Sequence, residues 1–164
     1  MAQSDQVPVQ SNFNNKSTGQ DVLAGIDLSG KTAIVTGGYS GIGLETTRAL
    51  AAKGVKVIVP ARSMQKATDN LSAVDGDIQI AAMDLSDQAS ITSFTNKMKE
   101  ELNSLDLLIN NAGIMANPET RIGPGWESQF GTNHMGHFAL TTGLMVIICT
   151  EESGQPTIGA ASKV

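Results

Sequence analysis

Lys31-Thr-Ala-Ile-Val-Thr-Gly-Gly-Tyr-Ser-Gly-Ile-Gly-Leu-Glu45 is the stretch on which the reading of this chain turns. Ala33-Ile34-Val35 is a short apolar run, Thr36 to Gly43 is rich in glycine, and Leu44 to Lys53 is compatible with a helix. Strand, glycine turn and helix in that order let backbone N–H groups approach a pyrophosphate at a helix N-terminus. Glycine is required there because a side chain would hold the phosphate away from the backbone. An isolated motif of this kind is as well explained by an ordinary glycine turn. Here the strand before it, the helix after it and a second strand beyond all stand where a nucleotide site needs them.

Working outward, the elements alternate. Leu44, Thr47, Leu50 and Ala51 recur at helical spacing, with Lys53-Gly54 as a stop. Val55 to Val59 is a β-branched run expected to be a buried strand ended by Pro60. Met64 to Leu71 reads as a helix and Ile78 to Met83 as a third strand. Ser86-Asp87 caps a helix that carries Ile91, Phe94, Met98 and Leu102 on one face. Leu105 to Ile109 is a fourth strand, closed by Asn110-Asn111-Ala112-Gly113. A loop with prolines and glycines leads to a long helical segment from about Trp126 to Cys149, where Phe130, His134, Phe138, Thr141 and Met145 share a face. Buried strands alternating with helices predict an α/β fold: a Rossmann-like parallel sheet with helices on both faces, incomplete at the C-terminus. Residues 1–27 read as a flexible leader, with Val22, Leu23, Ile26 and Leu28 against the domain edge, and residues 28–164 as the dinucleotide-binding domain.

Composition narrows the function. The 164 residues suit one domain, and 40% apolar with 16% charged residues suits a globular one. A net charge of −5 argues against nucleic acid as a partner. The single cysteine, Cys149, has no intramolecular partner for a disulfide, and the first residues are mostly Gln, Ser and Asn, without signal-peptide form. No stretch has the length of a membrane span. Cytoplasm is the expected location.

The end of the second strand selects the nucleotide. An acid there binds the ribose 2′-hydroxyl of NAD, and an arginine accommodates the 2′-phosphate of NADP. Residues 60–63 are Pro-Ala-Arg-Ser, so Arg62 and Ser63 favour NADP(H) over NAD. A solvated surface arginine is the other reading of Arg62.

Thr36-Gly-Gly-Tyr-Ser-Gly-Ile-Gly43, Asp84-Leu85, Asn110-Asn-Ala-Gly113 and Asn133-His-Met-Gly-His137 together resemble the short-chain dehydrogenase/reductase family, and most of all its retinol-dehydrogenase-like, NADP-preferring branch. The resemblance runs over residues 28–145. It implies that Gly37, Ser40, Gly41, Ile42 and Gly43 hold the pyrophosphate, that Arg62 and Ser63 meet the 2′-phosphate, and that Asp84 and Leu85 lie against the adenine. It further implies that Asn111, Ala112 and Gly113 border the adenosine ribose, and that Asn133 is the active-site asparagine that helps hold a water in the proton relay. The family uses a Tyr and a Lys four residues apart, with a Ser upstream. Here the only tyrosine is Tyr39, inside the glycine turn. The tail admits more than one alignment: Ser162 stands for the catalytic serine, Gly159 to Lys163 echoes the Tyr-x-x-Ser-Lys pattern without its tyrosine, or the residues after Met145 are a divergent tail.

Two function classes follow. One is an NADP(H)-dependent oxidoreductase moving hydride between nicotinamide and a lipophilic carbonyl or alcohol. The other is a cofactor-binding fragment or pseudoenzyme without the Tyr–Lys pair. The resemblance also implies a homodimer through the fifth helix and the next one. His134 and His137 are spaced to share a helix face, yet no third histidine exists, so packing or hydrogen bonding is expected and no metal site. Asp106 reads as a turn or cap group and Trp126 as a packing residue.

Overall fold

The apolar runs pair side by side. In the computed structural model, which describes residues 11–148, Thr32–Val35 (β1), Lys56–Ala61 (β2), Ile78–Ala82 (β3) and Leu107–Ile109 (β4) form one sheet in the order β3-β2-β1-β4. Every ladder is parallel, with Ile34 opposite both Ile58 and Leu108, and Val59 opposite Ile80. Successive strand residues point to opposite faces, so the sheet builds two cores. Ala33, Val35, Val57 and Val59 face one side, packed with Leu50, Ala51 and Leu71. Ile34, Ile58 and Ala81 face the other, packed with Ile91, Phe94, Met98, Leu140 and Leu144. Helices Gly41–Ala51 (α2) and Met64–Leu71 (α3) supply the first set, and Gln88–Glu101 (α4) and His137–Ile148 (α5) the second. This is the Rossmann-like arrangement, and it explains why the strands read as continuous apolar runs rather than alternating ones.

Local chemistry sets the boundaries. Asp87 caps α4 by accepting from the Ala89 amide at 2.9 Å. Asp106 lies at the foot of β4, where its carboxylate accepts from Lys31 Nζ and the Thr32 amide, both at 2.8 Å. Burial raises the pKa of this carboxyl, but the Lys31 and Thr32 contacts outweigh it and hold the group below its ordinary range. The expected turn or cap role is what these contacts describe.

Two expectations are corrected. Pro60 does not end β2; it lies inside the strand, opposite Ala81. Lys56 donates its amide to Lys31 just ahead of β1, and Val57 donates to Asp77 ahead of β3. By alternation, position 60 points toward β1, where the Val35 carbonyl accepts from Gly38 instead. The missing proline N–H therefore breaks no ladder bond. Second, the last long helix does not begin near Trp126. Arg121–Ile122 (β5) and Trp126–Glu127 (β6) pair as an antiparallel hairpin, and Phe130–Gly136 is a π-helix leading into α5. Phe130, His134, Phe138 and Met145 are exposed, and the core side of this segment is His137, Leu140, Leu144 and Ile147. Gly19–Val22 (α1) is a helical turn with a Thr18/Asp21 capping box. Leu23 and Leu28 pack on the first core, whereas Val22 and Ile26 are exposed. Ser162, Cys149 and the tail alignments lie outside the described residues.

Candidate functional site

At the C-terminal ends of the four strands a cleft of about 360 Å³ opens. This is the edge at which parallel α/β sheets bind ligands, between the strands where the chain order reverses, here β1 and β4. Its first wall is the glycine turn: Gly37, Ser40, Ile42 and Gly43 line it. Gly37 has φ +66°, a conformation that L side chains rarely adopt. A Cβ on Gly43 would fall on the Gly37 carbonyl oxygen and lie 2.5 Å from Asn111 Nδ2. The turn is thus closed as tightly as backbone allows, and it delivers the start of α2 to the cleft. Leu44 is the first residue to donate into the helix, to Ser40 at 3.2 Å. The amides before it have no intrahelical acceptor, a feature suited to an anion. Ser40 precedes the helix in extended conformation and makes no side-chain cap bond.

The second wall comes from β2 and β3. Pro60 near the end of β2 and Arg62 just after it line the cleft, and Met83, Asp84 and Leu85 line it after β3. Asp84 Oδ1 accepts from the Ser86 amide at 2.8 Å and from its hydroxyl at 2.7 Å, and the Asp84 amide donates to Ser90 Oγ at 2.9 Å. The loop after β3 is thereby fixed against α4. Ser63 is not among the lining residues; its hydroxyl accepts from the Lys66 amide at 3.4 Å and caps α3.

The floor comes from the end of β4. Asn111, Ala112, Gly113 and Ile114 line the cleft, and Thr36 holds them. Its Oγ1 accepts from the Asn111 amide at 2.9 Å and the Ala112 amide at 3.0 Å. Asn111 Nδ2 donates back to the Thr36 carbonyl at 2.9 Å. Thr36 is 1% exposed, and its Oγ1 also lies 2.9 Å from His137 Nε2. His137 Nδ1 lies 2.9 Å from the Asn133 carbonyl. Burial pushes His137 below the ordinary histidine pKa, the Asn133 contact opposing it in part.

Asn133 is placed in the π-helix rather than in regular helix, and it does not line the cleft. Its side-chain amide is engaged by one residue: Oδ1 accepts from the Ile114 amide and Nδ2 donates to the Ile114 carbonyl, each at 2.8 Å. Asn133 therefore sets the position of Ile114, which does line the cleft beside Thr132. His134 stacks on Phe130 with ring centroids 5.3 Å apart, and no group of metal-ligating side chains forms among the described residues.

Of the described residues assigned to the site, Gly37, Ser40, Ile42, Gly43, Arg62, Asp84, Leu85, Asn111, Ala112 and Gly113 line the cleft, whereas Gly41, Ser63 and Asn133 do not. Thr36, Tyr39, Thr132 and His137 were not foreseen as part of the site. Thr36 ends the first strand, where an apolar residue would continue the run, and that polar residue is the one local signal. Its partners lie 73 to 101 positions away, a separation that no periodicity conveys. The donors and the shape suit a dinucleotide: unpaired helix amides for the diphosphate, a guanidinium after β2, and a cradle that a single Cβ would fill.

The short chain dehydrogenase family profile matches residues 31–156. A probable oxidoreductase of Streptomyces lividans is 48% identical over 124 residues, covering 73% of this chain and 41% of that protein. Mouse retinol dehydrogenase 11 is 42% identical over 121 residues, covering 71% of this chain and 38% of its own length. Among solved structures, the Pseudomonas aeruginosa RhlG/NADP active-site complex superposes with a TM-score of 0.63 at 33% identity, over 74% of this chain and 49% of that one. The chain spans less than half the length of these relatives.

Proposed function

Since the chain belongs to the short-chain dehydrogenase/reductase family, whose profile covers residues 31–156, we propose that it holds NADP(H) for hydride exchange with a carbonyl or alcohol. The observation that carries the choice of nucleotide is Arg62 on the rim of the cleft after β2, with no acid in residues 60–63. A guanidinium pairs two oxygens of a 2′-phosphate, whereas a carboxylate at this place would repel it. The amides at the start of α2 take the diphosphate, Asp84 and Leu85 lie against the adenine, and Asn111, Ala112 and Gly113 border the adenosine ribose. Ser63 assists at the 2′-phosphate only by giving up its capping bond. Asn133 acts through Ile114 and its own carbonyl. Bound cofactor supplies the hydride. A lipophilic substrate is part of the proposal, in keeping with the name of the mouse relative. So is a homodimer through α5, whose Phe138 and Val146 are exposed, and so is a cytoplasmic setting, suited to a chain with one cysteine.

Fluorescence titration tests the cofactor assignment. NADPH binds more tightly than NADH, and Arg62→Ala weakens NADPH about tenfold to a hundredfold, the range of a lost hydrogen bond to a charged group. The same substitution leaves NADH nearly unchanged. Equal affinities for the two cofactors, or an Arg62→Ala variant that binds NADPH as the parent does, overturns the assignment.

Tyr39 favours a second reading. It is the only tyrosine of the chain. It lines the nucleotide end of the cleft, packs against the first core, and is tied by its carbonyl to Asn70 Nδ2 at 2.9 Å. A tyrosine held there serves the glycine turn rather than a reacting carbonyl. On this reading the chain of 164 residues binds cofactor but turns over ~10²–10⁴-fold more slowly than an enzyme with a positioned proton donor. NADPH oxidation with a panel of ketones and aldehydes decides, and robust turnover by this chain removes the second reading.

A further inference from the structure

His137 is a buried imidazole that is not among the residues lining the cleft, and both of its nitrogens are engaged. The Asn133 carbonyl, 2.9 Å from Nδ1, can only accept, so Nδ1 carries a proton. On the other side, Thr36 Oγ1 already accepts from the Asn111 and Ala112 amides, which uses both of its lone pairs. Thr36 must then donate its own proton, either to His137 Nε2 at 2.9 Å or to the Ile109 carbonyl at 3.3 Å. Were it to turn to Ile109, Nε2 would face an oxygen with no lone pair left to accept and no proton directed at it. The shorter contact completes the network, with Nε2 as a bare acceptor.

We propose that neutral His137, in its Nδ1–H form, is a positioning residue of the cofactor site, holding Thr36 so that Asn111 and Ala112 stay in place as the cleft floor. The proposal rests on the cofactor reading above for the ligand and on hydrogen-bond accounting for the mechanism. A proton on Nε2 would aim a third donor at Thr36 Oγ1 and displace one of the two amides. Charging His137 therefore loosens the floor, and the same residue ties that floor to the π-helix through Asn133. Burial already disfavours the charged form. The ionisable groups that share the cleft are Asp84 and Arg62, and the hydrogen-bond partners of His137, the Thr36 hydroxyl and the Asn133 carbonyl, are both uncharged.

The sign of the pH effect is fixed by these contacts. The neutral form is the competent one and its pKa in the folded chain lies below the ordinary value of 6.5. Cofactor affinity is therefore full at neutral pH and falls as the pH drops through that lowered value. Calorimetric titration with the acid-stable NADP⁺ reads it. The parent chain loses affinity as His137 charges, by about tenfold once it is fully charged, the size of one lost buried hydrogen bond. His137→Gln keeps an acceptor for Thr36 and cannot titrate, so it binds like the parent at neutral pH and lacks that part of the decline. His137→Phe, with no acceptor, is about tenfold weaker at neutral pH while its far-ultraviolet dichroism is retained.

A readout without ligand separates this inference from the cofactor assignment. In ¹⁵N-labelled chain, the imidazole nitrogens of His137 show the neutral Nδ1–H form at neutral pH, and the Asn111 and Ala112 amides shift with its titration. In His137→Gln that shift is absent. An Nε2–H or charged imidazole at neutral pH, amides that ignore the titration, or identical affinity profiles for parent and His137→Gln overturn the proposal. Failure of the parent to bind NADP⁺ at any pH sinks the cofactor assignment, while the imidazole and amide signals still decide the role of His137.

Discussion

Thr36→Val is expected to destabilise the chain by about 2–4 kcal/mol, because two backbone donors lose their acceptor at once while a near-isosteric side chain fills the space. The Asn111 and Ala112 amides, at 2.9 and 3.0 Å from Oγ1, have no replacement oxygen on a valine. His137 Nε2 loses its 2.9 Å contact as well. A valine keeps the β-propensity of β1, and it sits where the side chain is 1% exposed, so any loss is due to the hydroxyl. Thr36→Ser supplies the control: it keeps the oxygen and loses one methyl, at a cost of about 1 kcal/mol. Chemical denaturation of the three chains measures the difference. A Thr36→Val chain within about 0.5 kcal/mol of the parent would show that the hub is dispensable. Cofactor affinity falls with stability in Thr36→Val and is retained in Thr36→Ser, because the floor residues sit on the same oxygen.

Gly43→Ala is expected to abolish cofactor binding in practical terms, by about a hundredfold or more. The added methyl meets two held groups. One is the Gly37 carbonyl oxygen, part of the turn itself; the other is Asn111 Nδ2 at 2.5 Å, pinned by its 2.9 Å bond to the Thr36 carbonyl. Neither is the loose end of a flexible side chain. The start of α2 must move outward or the turn must open, at about 1–3 kcal/mol in overpacking. Either movement withdraws the helix amides from a diphosphate, and hydrogen bonds to a charged group are worth about 1.5–3 kcal/mol each. Titration with NADPH, alongside a thermal melt to establish that the variant folds, reads the effect. Binding within about threefold of the parent would mean that the turn does not carry the diphosphate contact.

Which parts of the site were legible depended on how local their cause was. Gly37, Gly41 and Gly43 announce themselves because a turn between strand and helix needs them whatever surrounds it. Asp87 was legible as a cap because its acceptor serves an amide two residues on. Pro60 misled, since proline was read as a strand ending; whether it ends one depends on which neighbour its missing N–H would have met, and that is a property of the sheet. The hairpin at Arg121–Ile122 and Trp126–Glu127 escaped notice because strands of two residues are too short to show a period. Ser63 stands after the second strand where a 2′-phosphate is expected, and Asn133 is expected by resemblance to help hold a water in the proton relay, yet the side-chain hydrogen bonds of the two go to Lys66 and Ile114.

The amino-acid sequence by itself determined the alternation of buried strands and helices, the glycine turn between strand and helix, and the arginine after the second strand. Each follows from hydrophobic period or backbone sterics within a few residues, so it survives without knowledge of the fold. Only the tertiary structure decided that Thr36 is the keystone of the cleft. Its hydroxyl works by meeting two amides from the end of β4 and an imidazole from α5, at separations of 75, 76 and 101 residues. Hydrogen bonds act over about 3 Å, and only the closed parallel sheet brings those groups within that distance.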